Sequence, residues 1–498
     1  MAKGFKPVDR DQVFLVPPDM RDWLPSEHLV WFLLDVVESF DIAEFEDQYR
    51  LGGAGREAFD PRMMIALLTY AYCGGVRSSR AIERACHTDV AFRVICAQQP
   101  PDHTVVARFR ARHAEALAGL FTQVLMVCAK AGLGRVGVVA IDGTKIAANA
   151  SIDRNRTREW FQRQAEEMLG EAAKVDAAED AAEAEQAAAG QGPEDRLGPG
   201  WRDRSRRKRK IQAALGELDT WEAEQDKPVQ AAAERAAEAE QGYQRVKAER
   251  EAKLADLSPR RGRPLDPDRE PQTLLAARRR AERAAERAAV VQAKREQAPP
   301  RRANATDPQS RVMKTRQGWV QGYNNQTAVS QDGVILAART SQDPADSAQF
   351  VATMEDAVKA AAAMGVAAGE QDREIGTVLA DAGYFSEDNL QAEGPDRLIA
   401  AGRKTNLAGD HTDGEPRTSQ DRRRETCHSM VERLRQSESA AVYRQRGGIV
   451  EPVNGHLKDR RGLRRFSRRG LAAAAAEFRF AALTTNLMKL YTTQLATR

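Results

Sequence analysis

Apolar residues recur at helical spacing through the first 130 residues. Pro61 opens a run whose apolar positions share one side of a helix, and the run stops at Gly74-Gly75. A proline just inside the start and a glycine just past the end are typical helix boundaries. A second run covers residues 79–95, behind a pair of serines that can cap it. The spacing predicts one helix for each run.

A third helix is predicted over residues 104–132, with Asp102 as a capping residue. Thr104 is an alternative capping residue. The helix carries Arg108, Arg110 and Arg112. Short helices joined by tight breaks, one of them basic, are typical of a helix-turn-helix module that binds DNA. The alternative is an ordinary helical bundle with a solvated basic face. We favour the first interpretation and expect a DNA-binding domain over residues 1–134.

Two short apolar runs that end on aspartate predict buried strands. Val136–Ile141 leads into Asp142, and residues 375–380 lead into Asp381. Between them, apolar stretches on both sides of Asp332-Gly333 predict a β-hairpin. Further predicted elements are a helix over 347–364, a strand over 398–402, and helices over 449–458 and 471–493. This order of strands and helices predicts an α/β core.

A long charged segment interrupts the α/β pattern after its first strand. Residues 151–300 carry 30 Lys/Arg and 30 Asp/Glu. The segment is rich in strong helix formers, but its apolar stripes are thin. We predict two or three long helices, in a hairpin or coiled-coil arm, as an insertion over residues 154–302. The catalytic core would then consist of residues 135–153 and 303–495.

Composition narrows the class of protein. No stretch approaches the roughly 20 apolar residues that span a bilayer, and the first residues lack a secretory signal, so we expect a cytoplasmic protein without a membrane partner. The 5 cysteines are scattered, which argues against a disulfide framework and a structural zinc site. Net charge is only +4, but residues 421–470 carry 14 Lys/Arg against 6 Asp/Glu. That local positive field suits phosphate groups.

Three carboxylates are candidate metal ligands. Asp142 and Asp381, at the carboxyl ends of two strands that would be neighbours, can point into one crevice. Glu451, on a later helix, would complete the cluster. Mg²⁺ prefers carboxylate and water ligands, and two such ions can serve phosphodiester cleavage and rejoining. Each residue also has an ordinary alternative: a turn at Asp142-Gly143, a helix cap at Asp381, and a first-turn position before Pro452 for Glu451.

The chain resembles the DDE transposases of bacterial insertion sequences, in the group with a Tyr–Arg–Glu–Lys signature. The resemblance covers most of residues 10–150 and 303–492. Its most specific stretches are DPRMMIALLTYAY, RSSRAIERAC, PDHTVVARFR, VVAIDGTKIAANAS, MKTRQGWVQGYNNQTAV, VLADAGYFS and YRQRGGIVEPVNGHLK. Matched by motif, the acidic triad falls on Asp142, Asp381 and Glu451. The other residues of the signature fall on Tyr443, Arg446 and Lys458, which are expected at the DNA.

The resemblance implies a ribonuclease H-like fold, two Mg²⁺ ions with Mn²⁺ as a substitute, and a cut-then-join reaction. The implied partners are double-stranded DNA, as terminal inverted repeats and target, and a second copy of the chain in a homodimer associated with the nucleoid. Two departures are visible. Four residues separate Arg446 from Glu451, where the most familiar signature has three. Asn454 stands where relatives commonly have Phe, which is expected to weaken helix packing.

Several smaller candidates have two interpretations each. Lys145 follows Asp142 closely and would reach a phosphate, or would merely be solvated. Trp319 is expected in the core rather than as a platform for stacked bases. Polar residues near the hairpin would line a DNA groove or simply be exposed: Lys314, Arg316, Gln321, Tyr323 and Asn324. Two alternatives to a transposase stay open, namely a ribonuclease H-like nuclease without strand transfer and an inactive DNA-binding scaffold.

Overall fold

The computed structural model of the protein describes residues 19–49, 57–168, 200–255, 270–315, 317–370, 373–401 and 419–497; side chains at 200–206 and 419–424 are not described. The chain divides into two compact units, one made of residues 1–152 and 310–498 and the other of residues 153–309. The predicted N-terminal domain is therefore part of the first unit. In the described residues, no helix combines the length and apolar character needed to cross a membrane.

Seven helices precede the first strand in the described residues of the first unit. They are α1 (Leu29–Glu38), α2 (Ala43–Glu46), α3 (Pro61–Cys73), α4 (Ser79–Thr88), α5 (Val90–Ile95), α6 (His103–Arg112) and α7 (Ala114–Lys130). The boundaries of α3 are as predicted, because the helix begins at Pro61 and ends at Gly74; Asp60 caps its first turn. Its apolar side chains join the same hydrophobic core as the sheet.

Two predicted helices are each broken once. Residues 79–95 form α4 and α5, because Asp89 has an extended backbone and its side chain caps α5 at Ala91 and Phe92. Ser78 precedes α4 without a side-chain cap. The run 104–132 is likewise divided, at His113, into α6 and α7. The periodicity therefore located the apolar faces but not the breaks.

The sheet of the first unit has six strands: β1 (Val138–Ala147), β4 (Arg311–Thr315), β5 (Gly318–Ser330), β6 (Ile335–Ser341), β7 (Thr377–Ala380) and β8 (Asp396–Ile399). Their order is β4-β5-β1-β7-β8, with β6 also paired to β5. β1 runs parallel to β7, and β7 parallel to β8, whereas β5 is antiparallel to β1. The fold is thus α/β with a mixed sheet. The predicted hairpin at Asp332-Gly333 joins β5 to β6.

β1 continues five residues beyond Asp142, so the prediction that this strand ends on the aspartate is wrong. The antiparallel ladder with β5 extends to Ala147 opposite Gly322. The parallel ladder with β7 stops earlier, at Ile141 opposite Ala380. At Asp142, therefore, the pairing of β1 with β7 has ended, whereas its pairing with β5 continues. We call this position the step in the sheet. β7 itself ends just before Asp381, as predicted.

Helices cover the sheet on both faces. They are α11 (Phe350–Ala368), α12 (Glu387–Gln391), α13 (Ser419–Arg435), α14 (Ser437–Asp459) and α15 (Leu471–Thr497). α14 packs against β1, β5 and β7, and α11 against β1, β5 and β6. α14 begins at Ser437, earlier than predicted, and continues through Pro452. Glu451 is therefore not in a first helical turn, which removes that alternative.

The second unit consists of β2 (Asn155–Thr157), α8 (158–168), α9 (Gly200–Ala255), α10 (Gln272–Glu296) and β3 (Arg302–Asn304). β2 and β3 pair in antiparallel register and bring the two ends of the insertion together. α9 and α10 pack against each other. α9 and α10 are long helices, as the sequence predicts for this segment.

Candidate active site

The step in the sheet brings two of the predicted carboxylates to neighbouring positions. Asp142 follows Ile141, and Asp381 follows Ala380, the last pair of the β1–β7 ladder. Neighbouring strands lie about 4.8 Å apart, so the two aspartates are side by side. Asp381 also serves as a cap, because its Oδ1 accepts a hydrogen bond from the backbone N–H of Gly383 at 2.9 Å. The alternative interpretation of Asp381 as a helix cap is thus confirmed. The alternative interpretation of Asp142 as part of a turn is excluded, because Asp142 lies within β1.

Asp142 is mostly buried against α14. Its side chain is 21% exposed, and its Oδ2 accepts a hydrogen bond from the side-chain amide of Asn454 at 2.9 Å. Burial raises the pKa of Asp142 to about 6; Arg446 opposes the rise and Asp381 adds to it. A carboxyl whose charged form is disfavoured by burial and by a neighbouring carboxylate gains from a cation. Asp142 is thus electrostatically suited to bind one.

Glu451 lies on the same helix but its side chain does not join the aspartates. The side chain is 69% exposed, and its Oε1 lies 3.9 Å from Nη2 of Arg446. Nη1 of Arg446 lies 3.7 Å from Oδ1 of Asp142 and is buried without a hydrogen-bond partner. The guanidinium therefore lies between two of the three carboxylates. Among the described residues, no three His, Cys, Asp or Glu side chains are close enough to hold one metal ion.

The donor set fits a hard divalent cation in its chemistry. Carboxylate oxygens are the protein ligands that Mg²⁺ prefers, and Asp142 and Asp381 present them from adjacent strands. The orphaned Nη1 of Arg446 marks the same crevice as a place where a positive charge is held among carboxylates. Glu451 can join the pair only by rotation of its exposed side chain away from Arg446. Two of the predicted ligands, Asp142 and Asp381, thus lie together, and the side chain of Glu451 must rotate to join them.

The other residues of the signature also lie on α14. The hydroxyl of Tyr443 donates to the carbonyl oxygen of Ala380 at 3.2 Å, which ties α14 to the residue before Asp381. Burial raises the pKa of Tyr443. Lys458 is half-buried near the end of the helix, two turns after Glu451 as predicted. The contact of Tyr443 is with the protein backbone, whereas Arg446 faces the crevice.

A polar network that the sequence did not predict lies beside Gly143, the residue that follows Asp142. Asp346 accepts hydrogen bonds from Asn324 at 2.7 Å and Gln326 at 3.0 Å, and it pairs with Lys145 at 3.5 Å. A Cβ atom at Gly143 would lie 2.6 Å from Asp346 Oδ1, so only glycine fits beside Asp142. Lys145 is thus paired with Asp346 and is not merely solvated.

The polar run Asn324–Thr327 was the available signal for this network. Polar residues in a central strand that is covered on both faces need partners, because unpaired buried polar groups are costly. Gln321, Tyr323 and Asn324 are buried, so the expectation that they line an open groove is wrong. Lys314 is exposed, and Arg316 lies outside the described residues.

The basic residues of the predicted DNA-binding helix divide into two kinds. Arg108 and Arg112 are exposed on α6. Arg110 turns inward and donates to the carbonyl oxygen of Arg77 at 2.6 Å, so it links α6 to the loop before α4. Trp319 is 66% exposed, and its expected place in the core is wrong. It lies opposite Lys314 on the β4–β5 hairpin, where the strands extend beyond the core that would cover them.

Comparison with known protein families matches two parts of the chain. The model of a transposase domain (DUF772) matches residues 18–112, and the model of a transposase DDE domain matches residues 289–487. The second range contains Asp381 and Glu451, whereas Asp142 lies between the two ranges. No curated protein and no solved structure matches the chain.

The two matches support a DDE transposase and point to transposition. A DDE domain implies a ribonuclease H-like α/β core, which agrees with the helices and mixed sheet of the first unit. Enzymes with this domain are of the transposase and nuclease type, act on DNA and generally use divalent metals.

Proposed function

We propose that the chain is a transposase that cuts DNA at the ends of an insertion sequence and joins the freed ends to target DNA. The observation that carries the proposal is the register of the sheet, which supports a shared site for Asp142 and Asp381. Glu451 lies on α14, the helix packed against the same strands. Two neighbouring carboxylates with a third on a covering helix suit in-line displacement at phosphorus.

Asp142, Asp381 and Glu451 would hold two Mg²⁺ ions, or Mn²⁺ in their place. Such ions, when bound, neutralise charge on the phosphate and activate the attacking oxygen. Glu451 takes part by rotation of its side chain out of its contact with Arg446. Arg446 then presents its guanidinium to a DNA phosphate, for which its planar donors are suited. In the first step water cuts one strand at the element end; in the second the new 3′ hydroxyl attacks target DNA.

The proposed DNA contacts differ in how their side chains are engaged in the structure. Arg108 and Arg112 are exposed, and Lys458 lies on the helix of Glu451. Lys145 and Arg110 already have partners within the protein, Asp346 and the carbonyl of Arg77; Tyr443 contacts Ala380. We assign phosphate contacts first to Arg108 and Arg112 because they are exposed, and to Arg446 and Lys458 because they lie on the helix of Glu451. Positioning roles suit Lys145, Arg110 and Tyr443 better.

The partners proposed are the terminal inverted repeats of the element, target DNA and a second copy of the chain. The helices of residues 19–134 would bind the repeats, in the manner of a helix-turn-helix module. The α9–α10 insertion, as a coiled-coil arm, would help two copies assemble on two ends. We expect the protein to associate with the nucleoid because its substrate is there.

The test replaces each carboxylate by its amide. Asp142→Asn, Asp381→Asn and Glu451→Gln should each abolish cleavage of element-end DNA and leave binding in a mobility-shift assay largely intact, because the amide keeps the shape and loses the charge that holds the ions. Asp459→Asn is the matched control, since Asp459 is an exposed acid on the same helix, paired with Arg464. Near-normal cleavage by one of the three variants removes that residue from the site.

The products separate this proposal from its rivals. A transposase yields element ends covalently joined to target DNA, whereas a nuclease yields cut ends only. A wild-type protein that binds end DNA and does not cut it with Mg²⁺ or Mn²⁺ would be a scaffold. Sequencing of the joined products gives the distinction in one experiment.

A further inference from the structure

Asn454 makes the closest side-chain contact with Asp142 among the hydrogen bonds of the described residues. It lies on α14, one turn after Glu451, and is only 9% exposed. Its amide nitrogen donates to Oδ2 of Asp142 at 2.9 Å, and its amide oxygen accepts from the hydroxyl of Thr327 at 3.3 Å. The carboxylate can only accept when ionised, so the amide nitrogen must face Asp142. Thr327 supports that orientation from β5.

This contact gives the two carboxylate oxygens of Asp142 different surroundings. Oδ2 is engaged by the amide, whereas Oδ1 faces Arg446 at 3.7 Å, beyond hydrogen-bonding distance. An amide is neutral, so it orients the carboxylate without cancelling its charge. A lysine or arginine at this position would also orient it but would compete with a bound cation. A phenylalanine, which relatives commonly have here, can do neither.

We propose that Asn454 is a positioning residue that holds Asp142 with Oδ1 directed to the crevice, and that Thr327 fixes the amide in turn. The inference rests on the proposed function, in which Asp142 is a metal ligand. Residues behind a ligand fix its orientation, and their loss typically lowers metal affinity or activity about 10- to 100-fold. Asn454, the residue that departs from the family pattern, then makes a contact that orients Asp142.

The experiment compares three variants of the full-length protein. Asn454→Leu removes both hydrogen bonds at similar volume. Thr327→Val removes the hydroxyl that orients the amide at 3.3 Å and that also lies 3.5 Å from the main-chain oxygen of Asp142. Asn486→Leu is the matched control, because Asn486 is also a fully buried asparagine with two hydrogen bonds, but both go to the backbone of Ile335. Each variant is measured for thermal unfolding, for Mn²⁺ binding without DNA by calorimetric titration, and for single-turnover cleavage against Mg²⁺ concentration.

We expect Asn454→Leu to raise the Mn²⁺ dissociation constant and the Mg²⁺ concentration at half-maximal cleavage about tenfold. Thr327→Val should shift both in the same direction by a smaller factor. A fourth variant, which combines Asn454→Leu with Thr327→Val, should show less than the product of the two single effects, because the two side chains are hydrogen-bonded to each other. Asn486→Leu should lower the unfolding temperature and leave both metal constants unchanged.

Unchanged metal constants in Asn454→Leu would overturn the inference, and so would an equal shift in Asn486→Leu. If Asn454→Leu does not fold, Thr327→Val decides by the same criteria. A wild-type protein that neither binds Mn²⁺ nor cuts end DNA contradicts the proposed function itself. A wild-type protein that does both, with Asn454 variants equal to it, contradicts only the role of Asn454.

Discussion

Different kinds of contact stabilise the two units: one kind within the sheet of the first unit, and another within the helices of the insertion. Around the sheet, large side chains such as Phe350, Phe466 and Phe478 are fully buried in one continuous core. In the second unit a small cluster around Phe161 and Leu218 is buried. Apolar burial of this kind is the main stabilising contribution to folding.

Ion pairs link the helices of the insertion. Arg158 pairs with Asp219 at 2.6 Å and Glu222 at 2.9 Å, and Arg295 pairs with Asp226 at 2.8 Å. Exposed pairs of this kind contribute about 0–1 kcal/mol each. The polar groups around Asp142 and Asp346 are instead buried or half-buried, and they hold reactive side chains in place. The difference suggests a rigid site on the sheet and an insertion of lower local stability.

The largest expected effect is the loss of paired-end assembly when the insertion is removed. Replacing Arg158–Gln297 by a short Gly/Ser linker should leave a folded core, because β2 and β3 pair directly and hold the ends of the insertion together. Circular dichroism and light scattering report folding and association, and a two-end synapsis assay reports assembly. An unfolded product would show that the insertion belongs to the core. Normal synapsis would make it a spacer.

The next effect concerns the two hydrophobic clusters. Phe478→Ala should lower the free energy of unfolding by about 3–5 kcal/mol, because it leaves a cavity in the core. Leu218→Ala should cost about 2 kcal/mol and act only on the insertion. Hydrogen exchange checks this: amides of α9 should exchange faster in Leu218→Ala, with those of the sheet unchanged. Faster exchange in both units would show that they unfold as one.

The third prediction concerns the charge on Asp142. With a folded pKa of about 6 against an ordinary value of 3.8, the folded protein binds more protons than the unfolded chain between these values. Stability therefore falls as pH rises through that window, and ionised Asp142 destabilises the metal-free protein above it. Asp142→Asn should raise the free energy of unfolding by about 2 kcal/mol at pH ~8 in EDTA. The gain should disappear near pH ~4.

The matched variant for that measurement lies in the insertion. Asp226→Asn removes an exposed pair with Arg295 and should lower stability by less than about 1 kcal/mol. Urea unfolding of both variants at the two pH values gives the comparison. A stability gain for Asp142→Asn that does not depend on pH would show that burial of its charge is not the cause.

The smallest expected effect is on the salt dependence of DNA binding. Lys458→Ala should weaken binding to all sequences about equally and flatten the slope of log affinity against log salt by about one unit. Lys294→Ala, an exposed lysine on α10, should leave the slope unchanged. A reduced slope for Lys294→Ala would place a DNA contact on the insertion. A changed sequence preference for Lys458→Ala would indicate base reading.

Local signals in the sequence determined several elements. Pro61 and Gly74 bound α3 as expected, since a fixed φ angle and a flexible glycine act within a few residues. The hairpin at Asp332-Gly333 follows for the same reason. The sequence also predicted that the strands before Asp142 and Asp381 are neighbours, and the β1–β7 ladder agrees with this.

Only the tertiary structure decided the rest. β1 continues past Asp142 because β5 supplies partners as far as Gly322, and nothing within β1 encodes the length of its neighbour. Trp319 is exposed, although its side chain is large and apolar. Asn454 contacts Asp142 across a sequence separation of 312 residues. Apolar periodicity and turn residues act over a few positions, whereas the partner of a buried polar side chain is set by packing between distant segments.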